Sequence, residues 1–342
     1  MAIAKRLTRV LAGEQVWPPP IWLMRQAGRY LPEYRAIRAK AGDFLALATN
    51  PELAAEVTLQ PVRRFGMDAA IIFSDILLLP WALGQGLVYA AGEGPQLPPI
   101  RDRGGVEALD PSMLPGRIAP VQESLRLVKR QLDQEALICF AGAPFTVACY
   151  MVEGGGSKDF TATRSMAHGD PALFDALIAT VEAATLEFLS AQIEAGADVA
   201  MLFDSWAGIL SPRLFQRYVT DPAMRLVAAL RVRHPGTPLI GFPRLAGTMI
   251  GGYATQTGVD AVAMDTACDP AVVRALVPES VALQGNLDPL ALLAGGESMR
   301  GEAAGLLVAM RGRAFVFNLG HGIVPQTPPE HVAQLVAQVR AA

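Results

Sequence analysis

Cysteine is scarce and scattered in this chain. Cys139, Cys149 and Cys268 are odd in number, widely spaced and free of any CxxC pair. That pattern excludes a disulfide framework and offers no zinc knuckle, so the three thiols are expected in the core or in strands. His168, His234, His321 and His331 are the only histidines, with no HxC pair and no HExxH, and no metal site is indicated. An excess of one charge is also lacking: 29 Lys and Arg face 32 Asp and Glu, a formal net charge of −3 and a pI near 5.9. A nucleic-acid surface needs a concentrated basic field, so no nucleic-acid partner is expected. Long apolar runs are missing too. The most apolar stretch, IIFSDILLLP, is broken by Asp75 and Pro80 well short of a membrane span, and the basic N-terminus MAIAKRLTRVLAGEQ lacks the apolar segment of a secretory signal. A soluble, cytoplasmic protein without a membrane partner is expected. Nucleotide fingerprints fail on spacing. Gly92-Glu93-Gly94 has no third glycine, and Gly154-Gly155-Gly156-Ser157-Lys158 lacks the first glycine of a phosphate loop. The triple glycine reads as a mobile loop over a site.

What is present is a large apolar fraction, 51% of 342 residues, and a weak internal echo. Gly66-Met67-Asp68 precedes AAIIF and the unit ends at Asp75; Gly196-Ala197-Asp198 precedes VAMLF and ends at Asp204; Gly258-Val259-Asp260 precedes AVAM and ends at Asp265. In each, a glycine closes a helix in a left-handed cap, a polar step turns the chain, and an apolar run forms a strand buried on both faces. Similar runs at Ile21 to Met24, Leu137 to Phe140, Pro238 to Phe242, Val281 to Leu283 and Phe315 to Leu319 bring the expected strands to eight. Helices are expected at Pro51 to Phe65, Val121 to Leu132, Pro171 to Ala195, Pro212 to Val232 and Glu330 to Arg340, several opened by proline in the first turn. Strand and helix alternating in this way predict an α/β fold, a (β/α)₈ TIM barrel. Such a barrel takes about 250 residues, leaving roughly ninety for extra N-terminal and loop elaborations, chiefly the Gly/Pro-rich Gly84 to Pro120. No linker divides the chain, so residues 1–342 are expected as one catalytic domain. A doubly wound open sheet shares the alternation but would normally carry a glycine fingerprint.

The chemistry collects where a barrel would place its mouth. RQAGRY sets Arg25 and Arg29 four residues apart, directly after an apolar run, and a pair of planar guanidinium forks suits carboxylates. Other strand ends deliver Ser74 and Asp75, Tyr150, Asp204 and Ser205, Asp265, Asn286 and His321. Any one of these has an ordinary structural reading as a cap or ion pair; their joint placement favours a site. Asp75 lies between apolar segments, so its surroundings should be dry and its carboxylate in need of partners. His321 stands between Gly320 and Gly322, where backbone or ligand can come close.

Together, RQAGRYLPEYR, FSDIL, the Tyr150 before MVEGGGSK, LFDSWAG, QGNLDP and NLGHGI followed by PQTP resemble the uroporphyrinogen decarboxylase family, from about Ile21 to Pro328. The resemblance implies a cofactor-independent carboxy-lyase of tetrapyrrole (haem) synthesis, commonly a homodimer. It would remove carbon dioxide from four acetate arms of uroporphyrinogen III to give coproporphyrinogen III. Carried over by position, Arg25 and Arg29 bind substrate carboxylates and assist catalysis, with Gln26, Ala27 and Gly28 lining the same wall. Asp75 is the catalytic anion, accepting the pyrrole N–H groups, and Tyr150, Ser205, His321 and, more weakly, Arg38 are further substrate contacts. Leu245 in GFPRLAG stands where relatives often have glycine, which puts the local loop shape in question. The rival from the same barrel class is a zinc-dependent corrinoid or thiol methyltransferase, for which the ligand pattern is missing; a non-catalytic tetrapyrrole carrier would keep the arginines but have no use for Asp75. An arginine-lined mouth can be positive on a mildly acidic molecule, so substrate affinity is expected to be higher at low salt.

Overall fold

The computed structural model describes residues 5–90 and 94–342; the expectations for residues 1–4 and for Gly92 and Glu93 lie outside the described residues. Seven strands, β1 (Ala69–Ile71), β2 (Ala136–Gly142), β3 (Val199–Asp204), β4 (Leu239–Pro243), β5 (Ala261–Ala263), β6 (Ala282–Leu287) and β7 (Phe315–Leu319), form one parallel sheet in chain order. The apolar runs are nearly all buried because helices cover the outer face, as parallel crossovers require. The result is a curled, TIM-barrel-like α/β fold. Cys139 and Cys149 are fully buried within it and Cys268 half-buried, all three as free thiols.

The eighth expected strand does not form. Ile21 makes one parallel bridge to Phe317, and the ladder stops there because the N–H groups of Ile21, Leu23 and Met24 go to the side chains of Asp68, Gln26 and Asn318 rather than to carbonyls of a neighbouring strand. The segment nevertheless fills the gap between β7 and β1. Phe317 N–H donates to the Pro20 carbonyl at 2.9 Å, and Asp68 N–H donates to the Ile21 carbonyl at 2.9 Å. Two other expectations shift. The helix expected at Pro212 to Val232 is interrupted by a wide π turn, Gln216–Thr220, before resuming as Asp221–Arg233. Pro222 cannot donate to the carbonyl four residues earlier, so the ladder slips by one. The helix expected from Val121 begins earlier, at Leu114–Lys129, and Asn286, expected beyond its strand, lies inside β6. Pro51–Phe65 forms as expected, opened by the Asn50 side chain on Leu53 N–H and closed by Gly66 at φ 66°.

The echoed Gly-x-Asp units prove to be the fastening of the barrel floor. The Asp68 carboxylate accepts Ile21 N–H at 2.8 Å, Asp198 accepts Leu137 N–H at 2.8 Å, and Asp260 accepts Leu239 N–H at 2.7 Å. Asp198 and Asp260 thereby join the start of their strands to the neighbouring strand, and Asp68 joins β1 to the Ile21 segment. Each also holds cations: Arg6 and Arg340 at Asp68, Lys5 and Lys129 at Asp198, Arg231 at Asp260. Burial works against the Asp198 anion, but Lys129, Lys5 and the Leu137 N–H outweigh it and hold its carboxyl below the usual value. Burial also lowers the Lys5 ammonium despite its carboxylate neighbour, so the pair is kept at a desolvation cost.

Asp198→Asn is expected to lower stability at neutral pH by about 1–3 kcal/mol, the range for losing a charged hydrogen-bond acceptor. With a depressed folded pKa, the wild-type advantage is fully present above the unfolded value of about 4 and is lost as pH falls through the folded one. Denaturant titrations of both proteins at several pH values should therefore converge in acid; a gap that does not change with pH would assign the stabilisation to shape alone.

Candidate active site

At the opposite, C-terminal end of the strands, one sequence pattern recurs: Phe73-Ser74-Asp75, Phe203-Asp204-Ser205 and Phe242-Pro243-Arg244. Strand alternation aims residues two apart at the same side, so each phenylalanine forms floor and each polar residue two further on forms rim. The floor is continuous. Phe140 meets Phe203 edge-on at 5.3 Å between centroids, and Phe203 meets Phe242 edge-on at 6.0 Å. A second aromatic line runs from Tyr34 to Phe73 (5.6 Å), to Phe44 (5.3 Å) and on to Tyr89 (4.8 Å).

Asp75 is half-buried, and one carboxylate oxygen accepts Leu77 N–H at 2.8 Å. Burial raises its pKa; the Leu77 N–H, the Tyr89 hydroxyl and the charge of Arg25 pull the other way without prevailing. The Tyr89 hydroxyl is buried beside the carboxyl without a partner in strict hydrogen-bonding geometry, near enough for each group to shift the other. Tyr150, on the helix Pro144–Glu153, is half-buried, its hydroxyl pKa raised by burial and influenced by Asp75 and Arg25. His321 is held neutral: burial, Arg25 and Arg244 push its pKa down to about 4 against a weaker opposite pull from Asp265. One cation, Arg25, thus acts on Asp75, Tyr150 and His321 together.

The loop that presents Arg25 is tightly specified. Gln26 is fully buried; its side chain accepts Leu23 N–H at 3.0 Å and donates to the Ala69 carbonyl at 2.9 Å, and its own carbonyl takes the Tyr30 hydroxyl at 2.9 Å. Gln26 is therefore the anchor of this wall, with its N–H already given to Leu23. Arg25 has φ 60°, a left-handed backbone that costs a side-chain-bearing residue roughly 1–2 kcal/mol. Its methylenes press on the other side of the mouth: a Cβ at Gly322 would fall 2.3 Å from Arg25 Cδ, and one at Gly320 would fall 2.3 Å from Thr266 N. The two glycines around His321 are thus required by close approach. Ala27 and Gly28, both half-buried, follow on the same loop.

The remaining expected residues separate. Arg29 is exposed, as Arg25 is, but its charge registers at Tyr34 and not at Asp75. Arg38 bonds the Gly42 carbonyl at 2.6 Å and so closes its own helix, Pro32–Ala41. Ser205 is half-buried at the rim, where its carbonyl faces Arg244. Asp204 turns away from the mouth towards Thr146, whose hydroxyl donates to it at 2.5 Å; burial raises its carboxyl to about 7. Asp265 fixes loops, accepting Leu245 N–H at 2.6 Å and Ala267 N–H at 2.8 Å, and Asn286 bonds the carbonyls of Asp265 and Cys268. Leu245 itself has φ 60°, which accounts physically for glycine being suited to that position. The triple glycine caps its helix, with Gly154 at φ 83° accepting Leu97 N–H, and it is docked on the hairpin Val88–Ala90 and Gly94–Gln96 rather than cradling phosphate.

A family model described as uroporphyrinogen decarboxylase (URO-D) matches residues 3–342. The chain belongs to the uroporphyrinogen decarboxylase family. Among its relatives, the uroporphyrinogen decarboxylase of Granulibacter bethesdensis is 62% identical over 98% of this chain and 99% of its own length, and that of Acidiphilium cryptum is 60% identical over 98% and 94%. Among solved structures, a methyltransferase from Methanosarcina mazei superposes with a TM-score of 0.82 at 21% identity, covering 99% of each chain, a likeness of fold. Within this family member, sequence reasoning missed two residues that face the site, Tyr89 and Arg244. Arg244 was legible in principle, because Phe-Pro-Arg repeats the spacing of Phe-Ser-Asp and Phe-Asp-Ser; Tyr89, on an elaboration, carried no such signal.

Proposed function

We propose that this protein decarboxylates the four acetate arms of uroporphyrinogen III to give coproporphyrinogen III, without metal or cofactor, as one closed (β/α)₈ catalytic domain with N-terminal and loop elaborations. The supporting observation is the grouping of a free guanidinium, Arg25, and a half-buried carboxyl, Asp75, over an aromatic floor, in a chain matched to the family along almost all its length.

An alkyl carboxylate loses carbon dioxide only when its electron pair has a sink, a task often given to a cofactor. Here a substrate pyrrole is the sink. Protonation of a ring carbon makes a cationic, imine-like ring; the carbon–carboxyl bond breaks and its electron pair neutralises the ring as an exocyclic methylene; a second proton adds to that methylene carbon to give the methyl group while the first proton leaves the ring carbon, which restores the pyrrole. Asp75 lies under the macrocycle, accepts its N–H groups and stabilises the cation. Each N–H donor favours the anion, so substrate itself draws the raised pKa of Asp75 back down. Arg25 binds substrate carboxylates with Arg29 farther out, and the backbone of Ala27 and Gly28, Tyr150, Ser205 and neutral His321 complete the contacts, with Arg38 at the margin. We place the enzyme in the cytoplasm as a soluble homodimer; no helix among the described residues is long and apolar enough to cross a membrane.

Incubation with anaerobically reduced uroporphyrin should give products that lose acetate carboxyls stepwise. Dialysis against a strong chelator should leave turnover unchanged. Activity lost on dialysis and restored by zinc would move the chain to the methyltransferase class. Tight binding without turnover would make it a carrier.

A further inference from the structure

Most of the half-buried arginines among the described residues have a close acceptor, as Arg9 has in Glu14 and Arg38 in the Gly42 carbonyl. Among the half-buried arginines of the described residues, Arg6 and Arg231 meet Asp68 and Asp260, Arg117 bonds the Trp81 carbonyl, and Arg274 bonds the Ala309 and Arg311 carbonyls at 2.8 Å. Arg244 differs. It is half-buried, no carboxylate lies within ion-pair distance, and its one hydrogen bond is a long 3.4 Å contact to the Ser205 carbonyl. A guanidinium with five donors is left with a single weak acceptor.

Its backbone, by contrast, is fixed from three sides. Arg244 N–H donates to the Asp204 and Phe242 carbonyls at 3.0 Å each, and its carbonyl accepts Gly208 N–H at 3.0 Å. The next residue is clamped by Asp265, whose carboxylate is thereby committed to N–H donors, and a Cβ at Gly208 would fall 2.0 Å from the Leu245 carbonyl oxygen. A rigidly mounted cation without a counter-ion lies next to the mouth, and its charge falls on His321 from one strand end while that of Arg25 falls on it from another. Arg244 reaches the Ser205 carbonyl at the end of β3, the Arg25 side chain packs against Gly322 beside His321, and the rings of Phe203 and Phe242 below are apolar, so the two cations form a place for an anion.

We infer that Arg244 is a further substrate ligand, binding a side-chain carboxylate of the tetrapyrrole on the side of the mouth across His321 from Arg25. This rests on the decarboxylase reading above. It makes the carboxylate clamp two-sided, so that the macrocycle is held at both edges while Asp75 works beneath its centre.

Arg244→Gln, which keeps length and polarity but removes the charge, should raise KM for reduced uroporphyrin by about 10- to 100-fold, the value of a charged hydrogen bond. The change in kcat should be much smaller and melting close to wild type. Arg244→Lys should recover only part of the KM, because a point charge does not replace a fork. The imidazole of His321, followed by NMR, should titrate above its wild-type value in the Gln variant and stay near it in the Lys variant. Wild-type KM in both variants, with the wild-type enzyme active, would overturn the role of Arg244 alone; an inactive wild type would overturn the decarboxylase reading instead. If the Gln variant does not fold, the Lys variant decides, since an unaltered KM there excludes a bidentate ligand.

Discussion

Asp75→Asn should cut kcat by at least ~10²-fold while leaving the fold intact. The scale is that of removing one preorganised electrostatic group, and it corresponds to about 3 kcal/mol of barrier. Asparagine keeps the size of the side chain and an oxygen for Leu77 N–H. It removes only the anion. A charge pair at ~4 Å is worth roughly 4 kcal/mol at an effective dielectric of ~20 against about 1 kcal/mol in water, so a cation formed in this cleft depends heavily on that charge. The stability effect should have the opposite sign. Because burial raises the Asp75 pKa above its unfolded value, ionisation costs stability as pH rises through the window between the two. The Asn variant should therefore melt at or above wild type at neutral pH, with the difference closing in acid. In wild type, kcat/KM should rise with pH through the raised pKa of the free enzyme, and this limb should vanish in the variant. Asp75→Glu, which displaces the anion, should retain more activity than Asn. An Asn variant that turns over normally sinks the cation-stabilising role, and one that fails to fold points to a structural carboxyl.

Arg25→Ala should lower kcat/KM by about 10²-fold, more than Arg29→Lys, since Arg25 alone of the pair acts on Asp75, Tyr150 and His321. The salt dependence of substrate affinity should flatten with it. Backbone strain supplies an independent reading. Arg25 sits at φ 60°, where glycine is at ease and alanine is not. Arg25→Gly should therefore be as inactive as Arg25→Ala but at least as stable to denaturant, the signature of strain kept for a side chain that function needs. If both variants keep wild-type kcat/KM at low salt, the arginines belong to surface structure and the carboxylate clamp is wrong.

Much of this was legible because it is local. Gly66 and Gly258 cap their helices in left-handed conformation, Asn50-Pro51 opens a helix, and the unbroken apolar runs become buried parallel strands, each by interactions within a few residues. Asp68, Asp198 and Asp260 were visible as a repeat, yet what they do was not: each bonds a neighbouring strand far away in the chain, and no local rule names that partner. The failed eighth strand was misjudged for a related reason: its apolar pattern is that of a strand, but the N–H groups of Ile21, Leu23 and Met24 are taken by side chains, two of them distant in the chain.

By itself the sequence determined the alternation of strand and helix, the family, and the inventory of polar residues at strand ends. Tertiary structure alone decided which of them share a site. Asp75 and Asp204 end similar strands, but one is shifted by Tyr89 and Arg25 and the other turns outward to Thr146, because side-chain direction depends on the last strand residue's parity and on the helix that packs there. Arg25 and Arg29 look equivalent in RQAGRY, and Arg244 looks ordinary in GFPRLAG. A guanidinium acquires its role from what does or does not neutralise it, and those neighbours are brought together only when the sheet curls.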